Sequence, residues 1–262
     1  MPIASGGCAS REEAMSGQIA LTAILIISFP LTLTAQPSRD FAAMGKADDR
    51  REESLEGAEA AGAVARLGGL SSDAIRERLR QMRLPAYLPG PVFVNRIVEL
   101  QRLPVADSKR VDQLKAALQP VFAYHGRSRM PIVVLRSDQP KAYLVERAVI
   151  IITTRMMVIA SDEEIRGIVA HELAHEYVWD ERIKAMNTKD VKLMRECELF
   201  CDAVAAFTLK EIGADPASYG RILERLTIIG INAGNAMRQE SDTHPSLDAR
   251  KKLNKFLCQR FD

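Results

Sequence analysis

Two histidines four residues apart, His171 and His175, stand with Glu172 in the stretch GIVAHELAHEYVW, which is otherwise almost wholly apolar. Charged and imidazole groups are costly to bury without partners. On an α-helix, residues four apart lie about 40° apart around the axis, so both rings point the same way one turn apart. Two imidazoles in that geometry can hold one zinc ion. Glu172 lies about 60° from His175. It can reach a water at the metal without ligating, which is the mechanical content of H-E-x-x-H. Ile165, Ile168, Val169, Leu173, Tyr177 and Val178 surround the rest of the helix. An apolar girdle of that kind marks a buried central helix, whose polar groups must be satisfied. A divalent cation would satisfy all three.

A catalytic zinc needs a third protein ligand and an open position. Downstream, RECELFCDAVA (195–205) offers Glu196, Glu198 and Asp202. Glu198 and Asp202 share a helix face, and Leu199, Ala203, Val204, Ala206 and Phe207 mark that helix as mostly buried. Two antiparallel helices would bring Glu198 opposite His171 and His175, with Glu196 as its nearest competitor. Asp202, one turn on, would accept a hydrogen bond from a ligand histidine, as metal-bound histidines generally require.

The elements that must position these groups are legible in outline. Helices are expected from Ser72 to Pro85 with Ile75, Leu79 and Met82, and over 109–124 with Val111, Leu114, Leu118 and Val121 on one side. YLPGPVF (87–93) reads as a turn or loop. PIVVLR (131–136) and ERAVIIITTRMMVI (146–159) are β-branched and read as strands of a sheet of two to four. Ser161 and Glu164 form a capping-box pattern, which starts the H-E-x-x-H helix near Asp162 and carries it to about Trp179. A helix over 190–212 stops at Gly213. Asp215-Pro216 opens another, and a last one follows His244-Pro245 with Leu247, Leu253 and Leu257. Tyr177 and Tyr219 could donate to an oxyanion, but read first as core.

The remaining composition is ordinary. The chain has 262 residues, 47% of them apolar and 27% charged, with a net charge of +2. No bulk field calls for nucleic acid as a partner. Ile19–Ala35 is an uncharged apolar run, short of the roughly 20 residues a spanning helix needs. Residues 1–36 are therefore read as a signal peptide or an N-terminal membrane anchor. Residues 37–70, rich in Ala, Gly, Glu and Arg, read as a flexible linker. Residues 71–262 read as the functional domain. That places the domain outside the cytoplasm, periplasmic or secreted, or tethered by its N-terminal segment. Cys197, Cys201 and Cys258 read most simply as buried small hydrophobes; for an exported chain, the alternative is one disulfide from the Cys197/Cys201 helix to Cys258.

HELAH followed by the helical E-x-x-x-D of Glu198 to Asp202 resembles the gluzincin zinc endopeptidases. The sequence is most similar to the CAAX prenyl endopeptidases and the HtpX and BepA-like bacterial proteases. The strand running into TTRMM (153–157), the SDEEIRGIVAHELAH run (161–175) and THPSLDARKKL (243–253) carry the likeness, which spans about 130 residues from Pro131 onward. It implies an α+β, zincin-like metalloprotease domain, mostly helical, with a small sheet before the HExxH helix. It further implies one zinc held by His171, His175 and Glu198, with Glu172 as general base and Asp202 behind a ligand histidine. His244 would lie near the metal, either stabilising the transition state or serving as a removable fourth ligand. The implied activity is hydrolysis of protein or peptide substrates, in cell-envelope quality control by analogy. The alternative is a latent, chaperone-like zinc-binding module whose site His244 closes. Two features depart from the family. The gap from HELAH to the third ligand lacks the hydrophobic helices of the membrane-embedded members, and Cys197 and Cys201 are unusual for the motif. Substrate would pair along an edge strand, for which Ala148–Thr154 is the candidate.

Overall fold

The computed structural model describes residues 60–69, 71–82, 84, 90–232 and 244–260. The Ile19–Ala35 run, Cys8 and the rest of the first 59 residues lie outside them. Helix α1 covers 60–66. It is followed by α2 (Ser72–Gln81), α3 (Pro91–Leu100) and α4 (Lys109–Tyr124). Strands β1 (Ile132–Leu135), β2 (Ala142–Val145) and β3 (Val149–Thr153) come next, and then α5 (Thr154–Ile159) and α6 (Asp162–Ala174). The chain ends with α7 (Trp179–Thr188), α8 (Val191–Glu211), α9 (Ala217–Asn232) and α10 (Leu247–Cys258). The class is α+β as expected, mostly helical, with a three-stranded sheet ahead of the HExxH helix.

The sheet order is β1-β3-β2. β1 runs parallel to β3 (Val134 opposite Ile152) and β2 antiparallel to it (Leu144 opposite Ile150). This corrects the edge-strand expectation, because the Ala148–Thr154 segment supplies the central strand. VIIIT has no polar alternation, and all five residues are buried; such a run belongs where both faces are covered. Ile150 and Ile152 face the core of α4, α6 and α9, whereas Val149 and Ile151 face Val94 and Ile97 of α3. The outer edge of β1 is covered by the chain before α4, where the Ala106 N–H donates to the Val134 carbonyl at 2.8 Å. Among the described residues no strand pairs with the outer edge of β2.

Four other expectations are corrected. The apolar stretch after Thr153 is helix α5 rather than strand, because the Thr153 hydroxyl accepts the Met156 N–H and caps it. Pro91, Val92 and Phe93, read as loop, open α3, with proline at a helix start where its missing N–H costs nothing. The HExxH helix ends at Ala174, residues 175–178 form a turn where its last turn was expected, and α7 takes up the link beyond from Trp179. Glu176 and Tyr177 donate to the carbonyls three residues back, tightening that end into a turn. Finally, residues 60–67 do not behave as linker. Ala63 and Leu67 are fully buried, and the Arg66 guanidinium meets Glu196 at 3.2 Å.

The expected capping box is present, with the Glu164 N–H donating to the Ser161 hydroxyl and the Ser161 N–H to the Glu164 carboxylate. α8 is the axis of the molecule. Asp190 caps its start, Gly213 ends its C-terminal turn at φ +74°, and every residue from Cys197 to Leu209 is buried. Ala205 and Leu209 belong to the core shared with α4, α6 and the sheet. Leu199, Phe200, Val204 and Phe207 belong to a second core, closed by α1, α2 and α10. No helix among the described residues is long and apolar enough to cross a membrane. The cysteines follow the simpler reading rather than the disulfide alternative: Cys197 and Cys201 are buried thiols and Cys258 a half-buried one. The Cys258 thiol donates to the Asn254 side-chain Oδ1 one turn back, at 3.8 Å.

Candidate metal centre

α6 presents His171 from its last turn, and His175 follows immediately at its C-cap. α8 crosses this end and presents Glu198. The His171 Nε2 lies 3.4 Å from Glu198 Oε2, and the His175 Nε2 lies 3.7 Å from Glu198 Oε1. The His244 Nε2, just before α10, lies 3.8 Å from Glu198 Oε2. These separations exceed the usual N–H···O range of about 2.7–3.2 Å. They suit donors sharing one cation: N and O ligands at about 2.0–2.1 Å in a tetrahedron stand about 3.3–3.4 Å apart. The ligand atoms of His171, Glu172 and His175 lie within 4.8 Å of one another. The donor set, two imidazoles and a carboxylate, is also the right chemistry for zinc, so the residues fit that ion.

The far nitrogens are backed as well. His171 Nδ1 lies 2.9 Å from Asp202 Oδ1 and 2.9 Å from the Tyr219 hydroxyl. The Tyr219 hydroxyl donates to Asp202 at 2.6 Å. Arg250 closes the network from α10, with Nε at 2.7 Å from Asp202 Oδ2 and Nη2 at 2.6 Å from Oδ1. Burial would raise the Asp202 carboxyl, but the charge and hydrogen bonds of Arg250, together with His171, hold it down at about 2. Burial likewise opposes charge on His171, and the hydrogen bonds and charges of Asp202 and Glu198 outweigh it, raising the ring to about 9. The negative field of Asp202 and Glu198 that raises the ring favours a cation at this place. Tyr219 reaches the network because α6 carries Gly167 where α9 crosses. A Cβ there would meet the Tyr219 Cβ at 3.0 Å.

Glu172 keeps partial access to solvent, unlike the two histidines. Its Oε2 accepts the outward-facing Leu144 N–H of β2 at 3.1 Å. Desolvation raises its carboxyl above the usual range. Glu196, the competing acid, turns away to Arg66. The second glutamate of the motif stretch, Glu176, is buried and held by Arg127 at 3.0 and 2.5 Å.

His171, Glu172, His175, Glu198, Asp202 and His244 are thus gathered at one place. Sequence reasoning missed Arg250 and the contact of Cys201 with His175. Arg250 had a signal, since it sits beside Ala249 in the stripe of α10 that carries Leu253 and Leu257, and an arginine in a buried stripe needs an acid. Tyr219, read first as core, belongs to the polar network.

No curated protein matches the chain. Residues 108–194, from the cap of α4 through α6 into the first turn of α8, match the model of Peptidase family M48. That match ends before Glu198; with the cluster of His171, Glu172 and His175 it supports the M48 family and a zinc metallopeptidase in general.

Proposed function

We propose that this chain is a zinc-dependent endopeptidase in which His171, His175 and Glu198 hold the metal. The observation that carries the reading is the convergence of both histidine Nε2 atoms on the Glu198 carboxylate, with Glu172 beside them. A bound zinc ion supplies Lewis acidity, polarising a carbonyl and lowering the pKa of water to about 7. Glu172 takes a proton from the attacking water and passes it to the leaving amine. Its raised pKa and partial exposure suit that exchange. Asp202 accepts the Nδ1–H of His171 and keeps its Nε2 free for the metal. His244, one-quarter exposed, donates to the developing oxyanion. Substrate lies extended along the open edge of β2, in place of the Ala148–Thr154 strand. There the Leu144 N–H, now held by Glu172, is the first donor a substrate carbonyl meets. The protein reaches its substrates outside the cytoplasm if the Ile19–Ala35 run exports or tethers it; cell-envelope quality control rests on family likeness alone.

A second reading has one observation in its favour: His244 Nε2 stands 3.8 Å from Glu198 Oε2, close enough to complete a four-ligand, latent site. One experiment separates the two. Zinc content and casein cleavage are measured for the wild type, Glu172→Gln and His244→Ala. The endopeptidase reading expects one zinc per chain, cleavage by wild type, and a zinc-loaded but inactive Glu172→Gln, with a loss of about 10²–10⁴. Cleavage only by His244→Ala would establish the latent site instead. Absence of zinc from all three would end both.

A further inference from the structure

A histidine that ligates through Nε2 must carry its proton on Nδ1, and that N–H needs an acceptor to fix the ring. His171 has the Asp202 carboxylate. Among the described residues no carboxylate takes that position for His175: its Nδ1 faces the Cys201 sulfur at 3.3 Å. We infer that Cys201 is a positioning residue of the metal centre, accepting the Nδ1–H of His175 on sulfur and so holding its Nε2 toward Glu198. The inference rests on the zinc reading above.

Three features carry it. Glu198, Cys201 and Asp202 stand at helical spacings of three and four on α8, so one helix face supplies a ligand and the groups behind both histidines. The sulfur contacts the nitrogen remote from Glu198, which places it behind the ring rather than among the ligands. The thiol is fully buried, and a cysteine sulfur serves as a weak acceptor. Cys197, one turn earlier and equally buried, has no such contact among the described residues. The two histidines are thus backed unequally, one by a carboxylate oxygen and one by a sulfur.

The test uses the full chain and zinc itself. Zinc affinity is measured by competition with a chelating indicator for wild type, Cys201→Ala, Cys201→Ser and Cys197→Ala, alongside unfolding midpoints of the metal-free forms. Cys201→Ala is expected to bind zinc about 10–100-fold more weakly. Cys201→Ser, whose hydroxyl also accepts, should stay within a few-fold of wild type, and Cys197→Ala should match wild type. If Cys201→Ala does not fold, Cys201→Val fills the sulfur's volume without accepting strongly and carries the same expected loss. Equal zinc affinity in wild type and Cys201→Ala (or Val) would overturn the inference. So would an equal loss in the Ser and Ala variants, which would mark a packing role only. A wild type that takes up no zinc removes the underlying metal reading instead, and it does so before any variant is compared.

Discussion

At the scale of single residues, the site depends on groups that never touch the metal position. Arg250 grips Asp202 with two hydrogen bonds while 15% exposed. Removing one partner of a buried pair leaves an uncompensated charge, at a cost of about 3–5 kcal/mol. Arg250→Leu is therefore expected to lower stability by about that much in denaturant melts, and to weaken zinc binding about 10–100-fold through the loosened Asp202–His171 contact. The inner residues were legible in the sequence because helical spacing dictates them. His171, Glu172, His175, Glu198 and Asp202 follow from three- and four-residue offsets on two helices. Arg250 and Tyr219 were not, since their place depends on how α9 and α10 cross α6 and α8, which no local spacing encodes. Cys201 carried a misleading signal, because a buried cysteine reads as a small hydrophobe until its neighbour is known.

At the scale of elements, the junction of α6 and α9 is the tightest point near the site. Gly167→Ala would gain helix propensity of about 1 kcal/mol, but the new methyl meets the Tyr219 Cβ and Cδ2 at 3.0 and 3.1 Å. Neither is the end of a flexible side chain, so the helices must shift. Overpacking of this kind costs about 1–3 kcal/mol. The expected outcome is a net loss of up to about 2 kcal/mol in the unfolding free energy. Because Tyr219 moves with α9, zinc affinity should also fall, measured by the same competition titration. The long helices α4, α8 and α10 were legible from periodicity and caps. α5 was not, since a threonine cap overrode the β propensity of the residues after it. Nor was α1, whose alanines and glycines look like linker until α8 lies against them.

At the scale of the whole molecule, acid stability has an identifiable contributor outside the candidate site. His125 is buried between the Tyr177 hydroxyl at 3.0 Å and the Thr208 hydroxyl at 3.1 Å. Burial, with the Arg127 charge adding to it, lowers its pKa to about 3 from the ordinary 6.5. The unfolded chain therefore takes up a proton that the folded chain refuses between those two values. Stability contributed by the neutral ring is full above pH 6.5 and is lost as pH falls toward 3, at about 1.4 kcal/mol per pH unit. His125→Gln should flatten the acid limb of the stability profile by about that slope, read from denaturant melts of the metal-free protein across this range. The same central position gives α8 a further consequence. Its run from Cys197 to Leu209 is buried between two cores, so its amide hydrogens can meet solvent only when both cores part. Exchange along α8 then reports global opening rather than local fraying. The helix carrying Glu198, Cys201 and Asp202 keeps its shape for as long as the molecule is folded, with or without the ion.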